Sequence, residues 1–183
     1  MKRFTIIAFL LSACVAVGAA FRPGDEGKAE KIKWYTLEEA LKLSEKEPRK
    51  IFLDVYTGWC GWCKVMDNKT FSNPVIAKYM NKHYYPVKFD AEGRDTVTFN
   101  GQKFVNDGPA GRGTHQFAVT VLQGRLSYPS FVFIDETRNN FTILQGYQDA
   151  EKFEPYLHYY GEGKSKTVSY EDFLKTFKSE LKR

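Results

Sequence analysis

The stretch 51-IFLDVYTGWCGWCKVMDNKT-70 decides how this chain folds. Ile51, Phe52, Leu53, Val55 and Tyr56 place apolar side chains on both alternating faces, the pattern of an interior strand covered on both sides. Thr57-Gly58 ends the run, and Cys60 and Cys63 follow with two residues between them. From Cys60 to about Thr70 the chain can be helical. A strand, a tight turn, a cysteine and a helix put the Cys60 sulfur beside the helix's free N–H groups and positive end. Both favour a thiolate over a thiol. Cys63 lies one turn along the same face and can reach the first sulfur. Cys60, nearer the exposed turn, reads as the attacking nucleophile and Cys63, more shielded, as the thiol that resolves a mixed disulfide. Trp59 and Trp62 add flat apolar surface suited to docking an unfolded or extended partner. The residues read as a site of thiol–disulfide exchange.

Two other readings compete for the cysteine pair. A zinc site would need two more ligands. No cysteine follows position 63, and His83, His115 and His158 show no paired spacing, so no metal or other cofactor is expected. An inert structural disulfide between residues so close in sequence would constrain the unfolded chain little. Asp54, the one charged residue on the apolar strand, is open to two readings. Buried on an interior strand, it would have a raised pKa suited to general base work. Tipped to the sheet edge, it would bond backbone amides instead.

The chain has 183 residues, enough for one ordinary domain, and 43% hydrophobic content with 15 Phe and 11 Tyr can build a real core. A formal net charge of +5 without a clustered basic stripe gives no sign of a nucleic-acid partner. The N-terminus begins Met1-Lys2-Arg3, runs apolar through residues 4–17 and ends in Gly18-Ala19-Ala20, the pattern of a secretory signal peptide. Cleavage after Ala20 would leave a soluble exported domain. Leu11-Ser12-Ala13-Cys14 also resembles a bacterial lipobox, in which Cys14 would be acylated and membrane association would follow. The apolar residues 15–20, where lipoproteins turn polar, favour the soluble form. Either route places the domain in the periplasm or another exported compartment, where disulfides persist.

Residues 22–33 read as a lead-in and 32–35 as a brief edge strand. Thr36 and Glu39 form a capping box for a helix carrying Leu37, Ala40, Leu41 and Leu43, which should end near Glu47 because Pro48 follows. After the active segment, Phe71-Ser72-Asn73-Pro74 is a break, with Asn73 or Ser72 capping a helix whose first turn holds Pro74. The next strand covers 84–90. On it, Lys88 either pairs with Asp54 across the sheet or, the expectation preferred here, faces outward.

Residues 91–124 form an insertion. Asn100-Gly101 between 96–99 and 102–105 predicts a hairpin with a type I′ turn. Thr114 can cap a helix carrying Phe117, Ala118, Val121 and Leu122. The insertion is expected near the rim of the active site, where it could select partners, or as a packing embellishment. Pro129 opens the apolar strand 131–134, sterically acceptable at a first strand position. Residues 137–140 turn into a last strand, 141–145. A helix over 150–160 contains Pro155, which would kink it or delay its start. Ser169 with Asp172 caps a final helix carrying Tyr170, Phe173, Leu174, Phe177 and Leu181, either packed on the domain, the preferred reading, or free as a docking surface.

The segment Asp54-Val55-Tyr56-Thr57-Gly58-Trp59-Cys60-Gly61-Trp62-Cys63-Lys64 resembles the active segment of thioredoxin-fold proteins, in particular the exported bacterial thioredoxin-like disulfide oxidoreductases. Trp59, Cys60, Gly61, Cys63 and Lys64 match position by position, and Trp62 departs where thioredoxin itself has proline. The resemblance covers roughly residues 32–160. It implies that Asp54 is the family's buried aspartate, moving a proton on or off the resolving thiol. It further implies that Pro129 follows a cis peptide bond facing the cysteines and that the backbone at Tyr128 pairs with extended substrate.

The expectation is therefore an α/β, thioredoxin-like mixed central sheet flanked by helices, with an inserted β-hairpin and an extra C-terminal helix. Residues 1–20 would be the signal peptide, 21–160 the domain, and 161–183 a linker and helical extension. Strand 84–90 should run parallel to 51–56, with 131–134 and 141–145 antiparallel neighbours. The site would comprise Cys60, Cys63, Asp54 and Pro129, with Trp59, Trp62 and Tyr128 docking protein or peptide thiols and disulfides. The reducing direction is favoured, which calls for electrons from a membrane donor. A non-catalytic adaptor using the same aromatic rim is the rival reading, and a peroxide-scavenging relative fits less well because such enzymes do not depend on a second cysteine at this spacing.

Overall fold

The computed structural model describes residues 30–109 and 113–181. The leader, Cys14 and the extreme C-terminus lie outside them. Four strands form one sheet. Strand β1 (Lys50–Tyr56) pairs in parallel with β2 (Tyr84–Asp90), and Asp54 is level with Lys88. On its other side β1 runs antiparallel to β5 (Ser130–Ile134), which is antiparallel to β6 (Phe141–Gln145). The expected mixed sheet is present. The brief edge strand at 32–35 is reduced to one bridge, Tyr35 to Val87.

Alternation along β1 divides the core into two layers. Ile51, Leu53 and Val55 join Leu37, Val87, Phe117 and Ile134 on one face. Phe52 joins Met66, Phe71, Phe131 and Phe153 on the other. Helix α1 (Leu37–Lys46) covers the first face. Its capping box forms as the sequence predicts, Glu39 N–H donating to Thr36 Oγ1 at 3.2 Å and Thr36 N–H to Glu39 Oε2 at 2.9 Å.

The second face is covered by Met66 and Phe71, which follow the active helix α2 (Gly61–Val65), by helix α3 (Pro74–His83) and by helix α5 (Ala150–Gly161). Asn73, rather than Ser72, caps α3, its Oδ1 accepting from Val75 N–H at 2.9 Å. The start of α5 is set by Asp149, which accepts from Lys152 N–H, so Pro155 does not delay it.

The hairpin, β3 (Val97–Phe99) and β4 (Gln102–Phe104), turns through Asn100 at φ 49° and Gly101 at φ 78°, the left-handed pair a type I′ turn needs. Phe99 and Phe104 pack on Phe117 of helix α4 (Gln116–Val121). His115 caps α4 through Nδ1, not Thr114. The hairpin tip runs away from the cysteines. Asn100 Nδ2 donates to the Arg138 carbonyl at 3.1 Å, in the β5–β6 turn at the opposite end of the sheet. The hairpin therefore takes the packing role of the two expected.

Helix α6 (Tyr170–Thr176) packs on α5, with Tyr170 stacked on Tyr156 at 4.5 Å and Phe173 against Tyr159 at 5.3 Å. Ser169 Oγ accepts from Asp172 N–H, as the sequence indicates. The helix is shorter than expected: Phe177 is already extended, so the helical spacing to Leu181 does not continue. Beyond it, the buried carboxylate of Glu154 accepts from Glu180 N–H at 2.7 Å and from Ser179 Oγ, which fastens the tail to α5.

Candidate active site

The turn after β1 is fixed by Cys60 N–H donating to the Thr57 carbonyl at 3.1 Å, which delivers Cys60 to the N-cap of α2. Its Sγ accepts from Cys63 N–H at 3.1 Å and is bonded to the Cys63 sulfur. One helical turn brings the two sulfurs together, as the spacing predicts. Cys60 is not the more open of the pair: with the bond closed, both residues are 4% exposed. The exposed surface belongs to the flanking indoles, Trp59 at 67% and Trp62 at 61%.

Each indole has a ring neighbour. Trp59 meets Tyr128 edge-on at 5.9 Å, and Trp62 lies on Tyr147 at 5.3 Å. The Tyr128–Pro129 peptide bond is cis, and Pro129 is buried at the head of β5. Trp59 Nε1 also donates to Glu92 Oε1 at 2.9 Å. Glu92 belongs to the start of the insertion, so that short segment, not the hairpin, reaches the rim. Tyr147 and Glu92 carry no motif that would single them out in sequence.

Asp54 lies on the same sheet face as Phe52, beneath the active helix, with a side chain 2% exposed. It does not tip to the edge. Its Oδ1 has no hydrogen-bond partner among the described residues, and its Oδ2 is 3.4 Å from Lys88 Nζ. Burial pushes the Asp54 carboxyl up to about 7; Lys88 opposes the shift and Asp67 adds to it. The outward-facing reading of Lys88 is wrong. The ammonium turns inward, over the rings of Tyr56 at 5.0 Å and Trp34 at 5.3 Å, and lies 2.5 Å from Asp67 Oδ1. Burial works against its charge, but the two carboxylates outweigh it and raise the Lys88 pKa. Asp67 stands in the π-helical turn Met66–Thr70 that continues α2.

A mixed sheet of this topology, with a closed two-residue cysteine motif at a helix start, defines a thioredoxin-fold protein related to the thioredoxin-like disulfide oxidoreductases. More narrowly, residues 25–153 match the family described as "Thioredox_DsbH: Protein of unknown function, DUF255", and the chain belongs to that family. A solved structure described as a DsbH oxidoreductase superposes with a TM-score of 0.53 at 18% identity, covering 80% of this chain and 96% of that one. A putative disulphide-isomerase from Bacteroides thetaiotaomicron gives 0.52 at 25% identity, covering 74% and 98%. An uncharacterized protein of Archaeoglobus fulgidus is 32% identical over 99 residues, 52% of this chain and 74% of that protein. The chain spans only 9% to 11% of the length of the animal relatives it matches. The pair has the arrangement that thiol–disulfide exchange requires. No helix among the described residues is long and apolar enough to cross a membrane.

Proposed function

We propose that this domain is a thiol–disulfide oxidoreductase acting on exported proteins or peptides, working mainly as a reductase. The observation that carries the reading is the Cys60–Cys63 bond at the start of α2, with a backbone N–H on the Cys60 sulfur and two exposed indoles beside it. With the pair reduced, the Cys60 thiolate attacks a partner disulfide. A Cys60–partner bond forms, and the partner's other sulfur leaves as a thiolate and is protonated. Cys63 then loses its proton to the Asp54 carboxylate and attacks Cys60. The Cys60–Cys63 bond forms, the second partner sulfur leaves and takes up a proton, and the partner has gained two electrons. Trp59, Trp62 and Tyr128 dock the partner chain, and Pro129 shapes the wall opposite the sulfurs.

Export through residues 1–20 is part of this proposal, as is a thiol donor at the membrane that restores the reduced pair. Acylation at Cys14 is the alternative route to the same compartment. Insulin reduction tests the function. Wild type should turn over with a suitable reductant, Cys60→Ser should lose at least a hundredfold, and Cys63→Ser should accumulate a mixed disulfide visible by mass spectrometry. Full partner binding by the double serine variant, with no exchange by wild type, would mean an adaptor instead.

A further inference from the structure

The Lys88 ammonium has two carboxylates to serve and serves them unequally. Asp67 Oδ1 lies at 2.5 Å and Asp54 Oδ2 at 3.4 Å, the longer contact being the buried one. Asp67 is 43% exposed, so its charge is largely solvated, whereas Asp54 is almost wholly enclosed with one oxygen unpartnered. When Asp54 is ionised the three groups carry a net negative charge, with one carboxylate enclosed; when it is protonated they are neutral. No other basic side chain pairs with either carboxylate among the described residues.

The remaining neighbours do not supply a cation. Tyr56 on β1 stays neutral, its pKa raised by burial and by Asp90. Across β5, Asp54 is level with Phe131, and the Trp34 ring lies under the Lys88 ammonium. Asp67 also follows Cys63 by four residues, on the π-helical turn that continues the helix carrying the resolving thiol. The π-helical widening falls at that point, where Phe71 N–H bonds back to the Met66 carbonyl at 2.9 Å.

We propose that Asp67 is a positioning residue for disulfide exchange: by holding the Lys88 ammonium it keeps the cation from closing on Asp54, and so governs when Asp54 takes a proton from Cys63 or returns it. The inference rests on the function proposed above. Removing the Asp67 charge has two effects of the same sign. It takes away a negative neighbour, and it frees Lys88 to settle on Asp54. Both favour the Asp54 carboxylate, so the proton-accepting form should appear at lower pH.

The test pairs two readouts in wild type, Asp67→Asn and Asp67→Glu. Carbon NMR of the Asp54 carboxyl in the oxidised protein reports its titration without any turnover. Stopped-flow resolution of a mixed disulfide across pH reports the chemical step. In Asp67→Asn the Asp54 midpoint should fall by about one pH unit, tenfold in proton affinity. The resolution profile should move acidward by the same amount, and Asp67→Glu should restore both. An unmoved midpoint, or a moved midpoint with an unmoved profile, overturns the role of Asp67 while exchange itself continues. Absence of exchange in wild type overturns the function, and the proposal with it; the turnover-independent titration tells the two failures apart.

Discussion

At the scale of single residues, the cost of keeping a carboxyl inside the sheet should be visible in stability. Asp54 titrates near 7 folded against an ordinary value of 3.8. Below about pH 4 it is protonated in both states and costs nothing. Between those values the folded protein holds a proton that the unfolded chain has released, so stability falls as pH rises, and above 7 the whole penalty is present. Asp54→Asn should therefore be more stable than wild type at pH 8, by on the order of a few kcal/mol, with the gain fading towards pH 4. Denaturant titrations of the oxidised proteins at the two pH values measure it, and a variant that is weaker at pH 8 would show that Lys88 fully compensates the buried charge. That Asp54 is buried could be read from its apolar strand. That Lys88 turns inward could not, because its contacts with Asp67, Trp34 and Tyr56 join residues far apart in sequence and carry no local signal.

Among the elements, those whose ends carry their own signal were legible to within a residue or two. Helix α1 has its capping box, and α3 has Asn73 followed by Pro74. Asn73→Ala should remove the acceptor for Val75 N–H and cost about 1 kcal/mol, lowering the melting temperature while insulin reduction is unchanged. A loss of activity would mean that α3 positions the cysteine helix more tightly than its contacts suggest. Elements that depend on distant partners were less legible. The hairpin's turn was plain from Asn100-Gly101, but its direction is fixed by Phe99 and Phe104 on Phe117 and by the bond from Asn100 to the Arg138 carbonyl. The end of α6 is hidden in the sequence because Phe177 and Leu181 keep helical spacing although the chain leaves the helix after Thr176. There the tail turns to meet Glu154, a contact with no local signature.

For the molecule as a whole, helix α5 packs on the sheet through Phe153 and Leu157, and its last residue makes an especially close approach. At the end of α5, a Cβ on Gly161 would lie 2.9 Å from the Tyr79 hydroxyl and 3.0 Å from that of Tyr84. Tyr84 is wholly buried and its hydroxyl donates to the Leu157 carbonyl at 2.6 Å, so it cannot retreat without giving up a buried hydrogen bond. Gly161→Ala should thus destabilise the fold by roughly 1–3 kcal/mol, read as a lower unfolding midpoint. An unchanged midpoint would mean that α5 slides freely on α3 and β2. The placement of the tryptophans has a different consequence. Two of the three indoles stand directly beside the sulfurs, while Trp34 packs edge-on against Phe71 at 5.2 Å. Because a disulfide quenches the excited state of a neighbouring indole, opening the bond should brighten the protein's own emission, so that the traffic of electrons through it could be watched in solution without a label.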